Sequence, residues 1–226
     1  MIPGRRIDLH VHSRWSPDGR STVDELVAAT AGAGLAGFAL TDHDSVAGHP
    51  RLAELARARP DLLLLPGVET STREGHLLAY GLREAPPAGR PADETVAWVV
   101  AHGGVPVVAH PFRHVHGVGE PVARRLAVPA IEVVNGHNGR AQNARALAIA
   151  TGRALGHTGG SDAHGRGELG RAWTLFSPAA ASPDGLLEEL RRGSTVGEGR
   201  SASPAYRGRL ALRSFALRLR RGLRPL

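Results

Sequence analysis

Residues 6–12 read Arg-Ile-Asp-Leu-His-Val-His, and this stretch decides the fold prediction for the chain. Apolar and polar residues alternate in it, so it is predicted to form a β-strand with one face toward the core. His10 and His12 lie two residues apart on the other face, where both imidazoles point to one side and can share a cation. The pair indicates a metal site, with chance placement of two histidines as the alternative.

Short apolar runs continue along the chain and alternate with helical patterns. This alternation predicts an α/β fold with a parallel sheet. Strands are predicted at residues 6–12, 35–41, 62–65, 77–82, 105–109, 131–135, 154–161 and 173–176. Helices are predicted at residues 22–31, 46–59, 93–102, 121–126, 138–151 and 183–192.

Ionisable side chains cluster at the predicted strand ends. Because the carboxyl ends of parallel strands meet at one edge of the sheet, these side chains are expected to converge there. Imidazoles together with carboxylates form the ligand mixture that binds zinc, manganese or iron. The residues at these positions are His10, His12, Asp42, His43, Glu69, His76, His110, Asp162 and His164.

The net charge of the chain is unevenly distributed. Its 226 residues include 28 basic and 21 acidic side chains, a formal charge of +7. Residues 201–226 contain seven arginines and no acid, so residues 1–200 carry equal numbers of basic and acidic side chains. The two segments are therefore predicted to be a neutral globular domain, residues 1–200, and an Arg-rich tail, residues 201–226. Residues 194–204 are expected to link them.

Composition excludes several classes of protein. The chain has no cysteine, which excludes disulfides, thiol catalysis and iron–sulfur clusters. It has no lysine, which excludes a lysine Schiff base and a Walker-type phosphate loop. No run approaches the roughly 18 apolar residues of a transmembrane helix, and the first residues lack the layout of a signal peptide. A cytoplasmic protein without a transmembrane segment is expected.

Six motifs together carry a resemblance to a known family. They read Asp8-Leu-His10-Val-His12-Ser13, Asp18-Gly19, Thr41-Asp42-His43, Gly67-Val68-Glu69, His110-Pro111 and Ser161-Asp162-Ala163-His164. In type and order they resemble the PHP family, named for polymerase and histidinol phosphatase, over about residues 5–200. The resemblance implies an α/β fold, a distorted seven-stranded (βα) barrel in a single domain.

The resemblance also implies nine metal ligands and two or three divalent ions at one mouth of the barrel. The first ion would bind to His10, His12, Glu69 and Asp162, the second to Glu69, His76 and His110, and the third to Asp18, His43 and His164. His76 lies in a segment that matches a looser motif. Six histidines favour manganese, iron or zinc over magnesium.

The function implied is hydrolysis of a phosphate ester by a metal-bound hydroxide, in a stand-alone phosphoesterase. Asp162, His164 and His43 are placed to handle protons. The expected substrate is a small phosphorylated metabolite or a nucleotide. Two enzymatic alternatives are an exonuclease and a nucleotide phosphodiesterase acting on short oligonucleotides. The third alternative is not an enzyme: it is a non-catalytic, metal-binding module associated with nucleic acid.

Three polar residues are expected to bind the substrate. Arg14 and Arg113 follow His12 and His110 closely and could clamp a phosphate, with surface salt bridges as the alternative. Asn135 ends a predicted strand and could line the substrate mouth. The histidines at 114 and 116 are expected at the rim of the pocket, where metal binding is the less favoured alternative.

The tail is predicted to form a basic amphipathic helix. Its apolar face would comprise Leu212, Phe215, Ala216, Leu219 and Leu223, with arginines on both sides. Packing of this face on the barrel or on a second subunit of a homo-oligomer is the favoured interpretation. Contact with a membrane surface or with nucleic acid is the alternative.

Overall fold

Apolar strands and amphipathic helices alternate along the chain of this computed structural model, which describes residues 4–220. Its strands are β1 (Arg5–Val11), β2 (Gly37–Leu40), β3 (Leu63–Ser71), β4 (His76–Tyr80), β5 (Val105–Val108), β6 (Ala130–Asn135), β7 (Gly156–Gly160), β8 (Ala172–Phe176) and β9 (Val196–Gly199). Its helices are α1 (Val23–Thr30), α2 (His49–Ala58), α3 (Ala92–Ala101), α4 (Gly119–Arg125), α5 (Arg140–Gly152), α6 (Pro183–Arg192) and α7 (Pro204–Arg220).

Within the described residues the strands form one nine-stranded sheet that nearly closes into a barrel, in the order β7-β6-β5-β4-β3-β2-β1-β8-β9. The α/β barrel prediction is confirmed, with a strand count that differs from seven. The eight predicted strands all form. The ninth, β9, lies inside the segment expected to be a linker and pairs antiparallel with β8.

The prediction of a parallel sheet holds for only part of the barrel. β1, β2 and β3 are parallel, as are β5, β6 and β7. β4 runs antiparallel to both of its neighbours, and β8 runs antiparallel to β1. Only residues 72–75 join β3 to β4, which is too short for a parallel crossover. As a result, the first residue of β4 lies at the same end of the barrel as the last residues of the parallel strands.

Small residues in β7 allow it to lie close to β1. A Cβ atom on Gly160 would be 2.3 Å from the Cβ atom of His10 and 3.0 Å from Glu132 Oε1. We therefore expect Gly160→Ala to lower the free energy of unfolding by about 1–3 kcal/mol, because the barrel would have to expand around the added methyl group.

Chemical denaturation of Gly160→Ala and of a matched variant, Gly167→Ala, provides the measurement. A Cβ atom on Gly167 would meet no other atom within 4 Å. The Gly167 variant should unfold like the wild type. Equal stability of the two variants would contradict the close approach of β7 to β1.

The tail helix α7 forms as predicted, but its apolar face does not pack on the barrel. Leu212, Phe215 and Leu219 are 72%, 59% and 54% exposed, so the barrel-packing part of the favoured interpretation is wrong, and packing on a second subunit stays a prediction. Tyr206 faces the barrel instead, with its ring 5.9 Å from that of His137. Leu223 lies outside the described residues, as does the helix prediction beyond residue 220.

The position of α7 is set by the residues that precede it. The backbone N–H of Ala202 donates to the carbonyl of Asn138 at 2.7 Å, and Asn143 Nδ2 donates to Ser201 Oγ at 3.1 Å. These contacts hold the start of the helix beside the N-terminus of α5. The division into residues 1–200 and 201–226 stays a prediction. No helix within residues 4–220 combines the length and apolar character that crossing a membrane requires.

Candidate metal centre

The nine residues predicted as ligands converge at one end of the barrel. Their nitrogen and oxygen atoms fall into groups in which all ligand atoms lie within 4.8 Å of one another. The groups are His12 with Asp18, His43 and His164; His10 with His110 and Asp162; His10 with His12 and Glu69; and His43 with Glu69 and His76. The grouping resembles the expected three sets, with His110 also near His10 and Asp162.

Glu69 is the carboxylate at the middle of these groups. It lies on β3 and is buried, and both of its oxygens face histidines. Oε1 lies 2.8 Å from His76 Nδ1 and 2.8 Å from His110 Nε2. Oε2 lies 3.1 Å from His10 Nε2, 3.2 Å from His12 Nε2 and 3.2 Å from His43 Nδ1. A carboxylate with five imidazole neighbours is suited to bridge two cations.

Two further carboxylates flank this centre. Asp162 Oδ1 lies 3.4 Å from His12 Nε2 and 3.8 Å from His10 Nε2. On the solvent side, Asp18 Oδ2 lies 2.9 Å from His164 Nε2 and 3.7 Å from His43 Nε2. The three carboxylates are therefore distributed from the buried floor of the centre to its mouth.

Electrostatics favour positive charge at this centre. Burial raises the pKa of Glu69, but the surrounding histidines lower it well below its usual value. Burial lowers the pKa of His43, yet Glu69 and Asp18 raise it overall to about 9. The pKa of His110, by contrast, falls to about 4 through burial and the nearby Arg113, leaving the neutral imidazole that metals bind. The ionised carboxylates thus favour positive charge on this cluster, and a divalent cation that binds there would displace the proton from His43.

Unsatisfied polar atoms show that the residues fit a metal. His10 Nε2, His12 Nε2, His110 Nδ1, Asp18 Oδ1 and Asp162 Oδ1 are buried and make no hydrogen bond among the described residues. Burying a polar atom without a partner costs roughly 1–3 kcal/mol. Divalent cations would give these atoms the partners that the protein does not, and the donor set of nitrogen and oxygen suits manganese, iron or zinc.

Backbone strain coincides with two of these residues. His110 has a φ of 23° and Asp162 a φ of 57°, values that residues with a Cβ atom rarely adopt. Each lies two residues after a strand, β5 for His110 and β7 for Asp162, where the chain turns sharply and the side chain is directed into the barrel mouth. Such strain is often found at functional sites, where the surrounding structure maintains it.

One functional residue, Glu132 on β6, was not predicted from the sequence. It is buried, and its Oε1 accepts a hydrogen bond from His10 Nδ1 at 2.9 Å. Its Oε2 accepts from the backbone N–H of His110 at 2.8 Å and from Asn135 Nδ2 at 3.0 Å. The available signal was an acidic residue inside the apolar run 131–134. The hydrogen bond to Glu132 fixes the imidazole of His10, whose Nε2 faces Glu69 Oε2 at 3.1 Å.

We expect Glu132→Gln to weaken metal binding by about 10–100-fold, the range typical of lost outer-shell carboxylates. An amide presents one acceptor oxygen where the carboxylate presents two, so at least one of the three donors loses its partner. Competition of the protein with a fluorescent chelator for Mn²⁺ gives the affinity. Glu188→Gln on the exposed face of α6 is the matched control, and equal affinities in the two variants would exclude the orienting role.

Other buried groups hold the remaining ligands in place. Ser16 Oγ lies 3.1 Å from His12 Nδ1 and accepts a hydrogen bond from the backbone N–H of His43 at 2.9 Å. Asp8 accepts from the backbone N–H of Ser161 at 2.8 Å, which fixes the strand end before Asp162. Ligands from β1, β2 and β7 are thereby connected beneath the centre.

The three predicted substrate-binding residues occupy different environments. Arg113 lines the cavity above the centre; its Nη2 donates to Asp162 Oδ2 and, at 2.9 Å, to Asn135 Oδ1. Asn135 is buried, and its Nδ2 also donates to Asp162 at 3.1 Å, so it lies beneath the cavity rather than in its lining. Arg14 is exposed and does not line the cavity.

A cavity of about 820 Å³ opens over the metal centre. His43, His76 and His164 form part of its floor, and the histidines at 114, 116 and 137 line its walls. The ring of His116 stacks on that of His76 at 4.5 Å, in agreement with the predicted rim position. The opposite wall comes from the first turns of α7.

Comparisons with known proteins agree with this arrangement of ligands. The PHP domain profile matches residues 8–97, and the profile described as PHP-associated matches residues 140–195. The chain belongs to the PHP family. The predicted family is thus confirmed, and the matches support the prediction of a metal-dependent hydrolase of phosphate esters.

Among PHP relatives, an uncharacterized protein of Methanocaldococcus jannaschii is 24% identical over 144 residues, covering 59% of this chain and 83% of that protein. The phosphoribosyl 1,2-cyclic phosphate 1,2-diphosphodiesterase of Eggerthella lenta is 36% identical over 87 residues. That match covers 36% of this chain and 32% of the enzyme. A crystal structure from Bacteroides vulgatus, a two-domain protein containing a predicted PHP-like metal-dependent phosphoesterase, superposes with a TM-score of 0.68 at 22% identity. It covers 87% of this chain and 65% of that one, and it supports the fold.

Proposed function

We propose that this PHP protein hydrolyses phosphate monoesters of small metabolites or nucleotides at a centre of two or three transition-metal ions. The observation that supports the proposal is the convergence of six histidines and three carboxylates on and directly beneath the floor of one open cavity. Phosphate monoesters suit such a site because a cluster of cations can neutralise several phosphate oxygens at once.

The proposed ligands are the nine residues of the metal centre. His10, His12, Glu69 and Asp162 would hold the most buried ion, Glu69 with His76 and His110 the second, and Asp18 with His43 and His164 the third. Manganese, iron or zinc would polarise the phosphate, lower the pKa of a water molecule and stabilise the leaving alkoxide.

Residues of the chain itself would position the substrate. Arg113 lines the cavity, and its Nη2 is held by Asp162 and Asn135. The rest of its guanidinium can therefore bind phosphate oxygens without a large loss of side-chain entropy. Asn135 would act as a positioning residue for Arg113 and Asp162. Arg14 is exposed and lies outside the cavity lining, so it would contact only a substrate that extends beyond the cavity.

Proton transfer is assigned to groups at the cavity floor. His43 and His164 line the cavity and contact Asp18, and Asp162 lies directly below. We propose that, with two ions bound and the third set of ligands free, His43 Nε2 or His164 Nε2 accepts the proton that water releases during hydrolysis, and Asp162 holds His164 in place through its contact with Nδ1.

Hydrolysis of p-nitrophenyl phosphate by the purified protein in Mn²⁺, and its loss in excess EDTA, tests the proposal. The same assay with sugar phosphates, mononucleotides and short oligonucleotides ranks the substrate classes. Protein that binds fewer than two equivalents of metal and hydrolyses none of these esters would refute the proposal.

A phosphodiester substrate is the second candidate. The cavity is large, and Arg207 on its α7 wall adds a cation that a single phosphate on the metal centre does not require. The Eggerthella lenta relative is named as a diphosphodiesterase. A higher kcat/KM for dinucleotides than for mononucleotides in the same panel would favour this candidate.

A further inference from the structure

Helix α7 exposes a strip of large apolar side chains to solvent. Leu212, Phe215 and Leu219 are each more than half exposed, and they follow one another at spacings of three and four residues. Side chains at these spacings lie on one side of a helix. Elsewhere within residues 4–220, large exposed apolar side chains lie singly, on separate strands, helices or loops. We call the three residues of α7 the apolar strip, and a strip of this kind indicates a binding surface.

The two halves of α7 have different surroundings. In the first half, Arg207, Leu210 and Ala211 line the cavity above the metal centre. In the second half, the residues of the apolar strip lie outside that lining. Seventeen residues of helix extend for about 25 Å. The helix is therefore held against the barrel at its start and presents the apolar strip to the outside further along.

The charge of α7 restricts the partners that the apolar strip can have. Residues 204–220 contain arginines at positions 207, 209, 213, 218 and 220, and they contain no aspartate or glutamate. Arg207 and Arg209 are exposed. A basic helix with an exposed apolar side is the type that lies in the interface of a membrane, because its apolar side chains insert and its cations meet anionic headgroups.

A second copy of the chain fits the apolar strip less well. A stable protein interface buries about 800 Å² on each partner. Even at roughly 200 Å² each, the scale of a large aromatic side chain, three side chains fall short of that area. Packing two α7 helices together would also bring two sets of five arginines close to each other, with no acidic residue in either helix to offset their repulsion.

Nucleic acid fits the apolar strip less well for another reason. Phosphate groups would attract the arginines of α7, and most contacts of such a complex go to the phosphates and sugars. Those polar groups give Leu212 and Leu219 no apolar surface to bury against. An anionic membrane offers a partner to both the arginines and the leucines.

We propose that α7 docks the protein on an anionic lipid surface, with the apolar strip inserted at the boundary between headgroups and acyl chains. This inference goes beyond the proposed function, because it concerns a surface outside the metal centre and does not depend on hydrolysis. Since the first half of α7 forms a wall of the cavity, docking places that cavity next to the membrane.

Co-sedimentation of the full chain with lipid vesicles tests the proposal. We expect vesicles of phosphatidylcholine with about one third phosphatidylglycerol to bind the protein at least roughly tenfold more tightly than vesicles of phosphatidylcholine alone. Raising NaCl from about 0.1 M to about 1 M shortens the Debye length from about 10 Å to about 3 Å, so it should remove most of this preference. Equal binding to the two kinds of vesicle, or binding to neither, would overturn the inference.

A triple variant, Leu212→Gln/Phe215→Gln/Leu219→Gln, removes the apolar strip and leaves the charge unchanged. It should bind the anionic vesicles at least roughly tenfold more weakly than the wild type. Val100→Gln/Leu147→Gln is the matched control, since both side chains are exposed on other helices, α3 and α5, and it should bind like the wild type. All five positions are exposed, so both variants should keep the circular dichroism spectrum of the wild type. Wild-type binding by the triple variant would show that the apolar strip does not dock.

Two measurements without lipid distinguish the other partners. Sedimentation velocity should show the wild type and the triple variant in the same oligomeric state. A wild-type dimer that becomes a monomer in the triple variant would overturn the inference in favour of a second copy. A fluorescent single-stranded oligonucleotide should not distinguish the two proteins, and binding that disappears in the triple variant would overturn the inference in favour of nucleic acid.

Discussion

His10→Ala is expected to lower kcat/KM for phosphate ester hydrolysis by at least a thousandfold and to reduce the amount of bound metal. His10 belongs to two of the ligand groups, and its Nε2 is buried without a hydrogen bond among the described residues. Metal ions contribute several kcal/mol to stabilising the transition state. Each 1.36 kcal/mol corresponds to a factor of ten in rate, so loss of about 4 kcal/mol gives the expected effect.

Steady-state kinetics and elemental analysis of the dialysed protein measure the two effects of His10→Ala. His102→Ala is the control, because His102 follows α3 and belongs to none of the ligand groups. It should keep wild-type activity and metal content. Activity within tenfold of the wild type in His10→Ala would show that the metal centre is not the site of hydrolysis.

Metal binding is expected to raise the melting temperature of the protein by about 10 °C. A ligand present at 1,000 times its Kd and absent from the unfolded chain stabilises the fold by about 4 kcal/mol. For a chain of this size, each kcal/mol shifts Tm by roughly 2–4 °C. The physical source is the set of buried, unsatisfied nitrogen and oxygen atoms that gain a partner when cations bind.

Thermal unfolding followed by circular dichroism, in EDTA and in Mn²⁺, measures this shift. The shift should be much smaller in His10→Ala and should persist in His102→Ala, which links it to the ligands rather than to a general effect of the salt. Equal melting temperatures of the wild type in EDTA and Mn²⁺ would show that the nine residues do not hold metal.

The barrel and its ligands were predicted from local patterns in the sequence. Alternation in residues 6–12 and short apolar runs elsewhere placed eight of the nine strands. Every predicted ligand except Asp18 lies in a strand or within four residues of the end of one. Helix α1 forms within the predicted range 22–31, and a capping box of Thr22 and Glu25 begins it. Such features are readable because strand periodicity and capping depend on residues only a few positions apart.

Features that depend on distant residues were not predicted. Glu132 could not be recognised as a partner of His10, since 122 positions separate them and only the β6–β7–β1 region of the barrel brings them together. Strand β9 was assigned to a linker because its polar, glycine-containing sequence lacks a strand pattern. Backbone pairing with β8 stabilises it as a strand, although its own residues show no strand pattern.

By itself, the sequence determined the strand and helix pattern, the ligand types and the separation of a basic tail from a neutral body. Only the tertiary structure decided where that tail lies. The hydrogen bond from Ala202 to Asn138 places α7 beside the cavity, and Arg207 thereby lines the cavity above the metal centre. Helical periodicity describes which residues share a face, but the contacts at the start of the helix determine what that face meets.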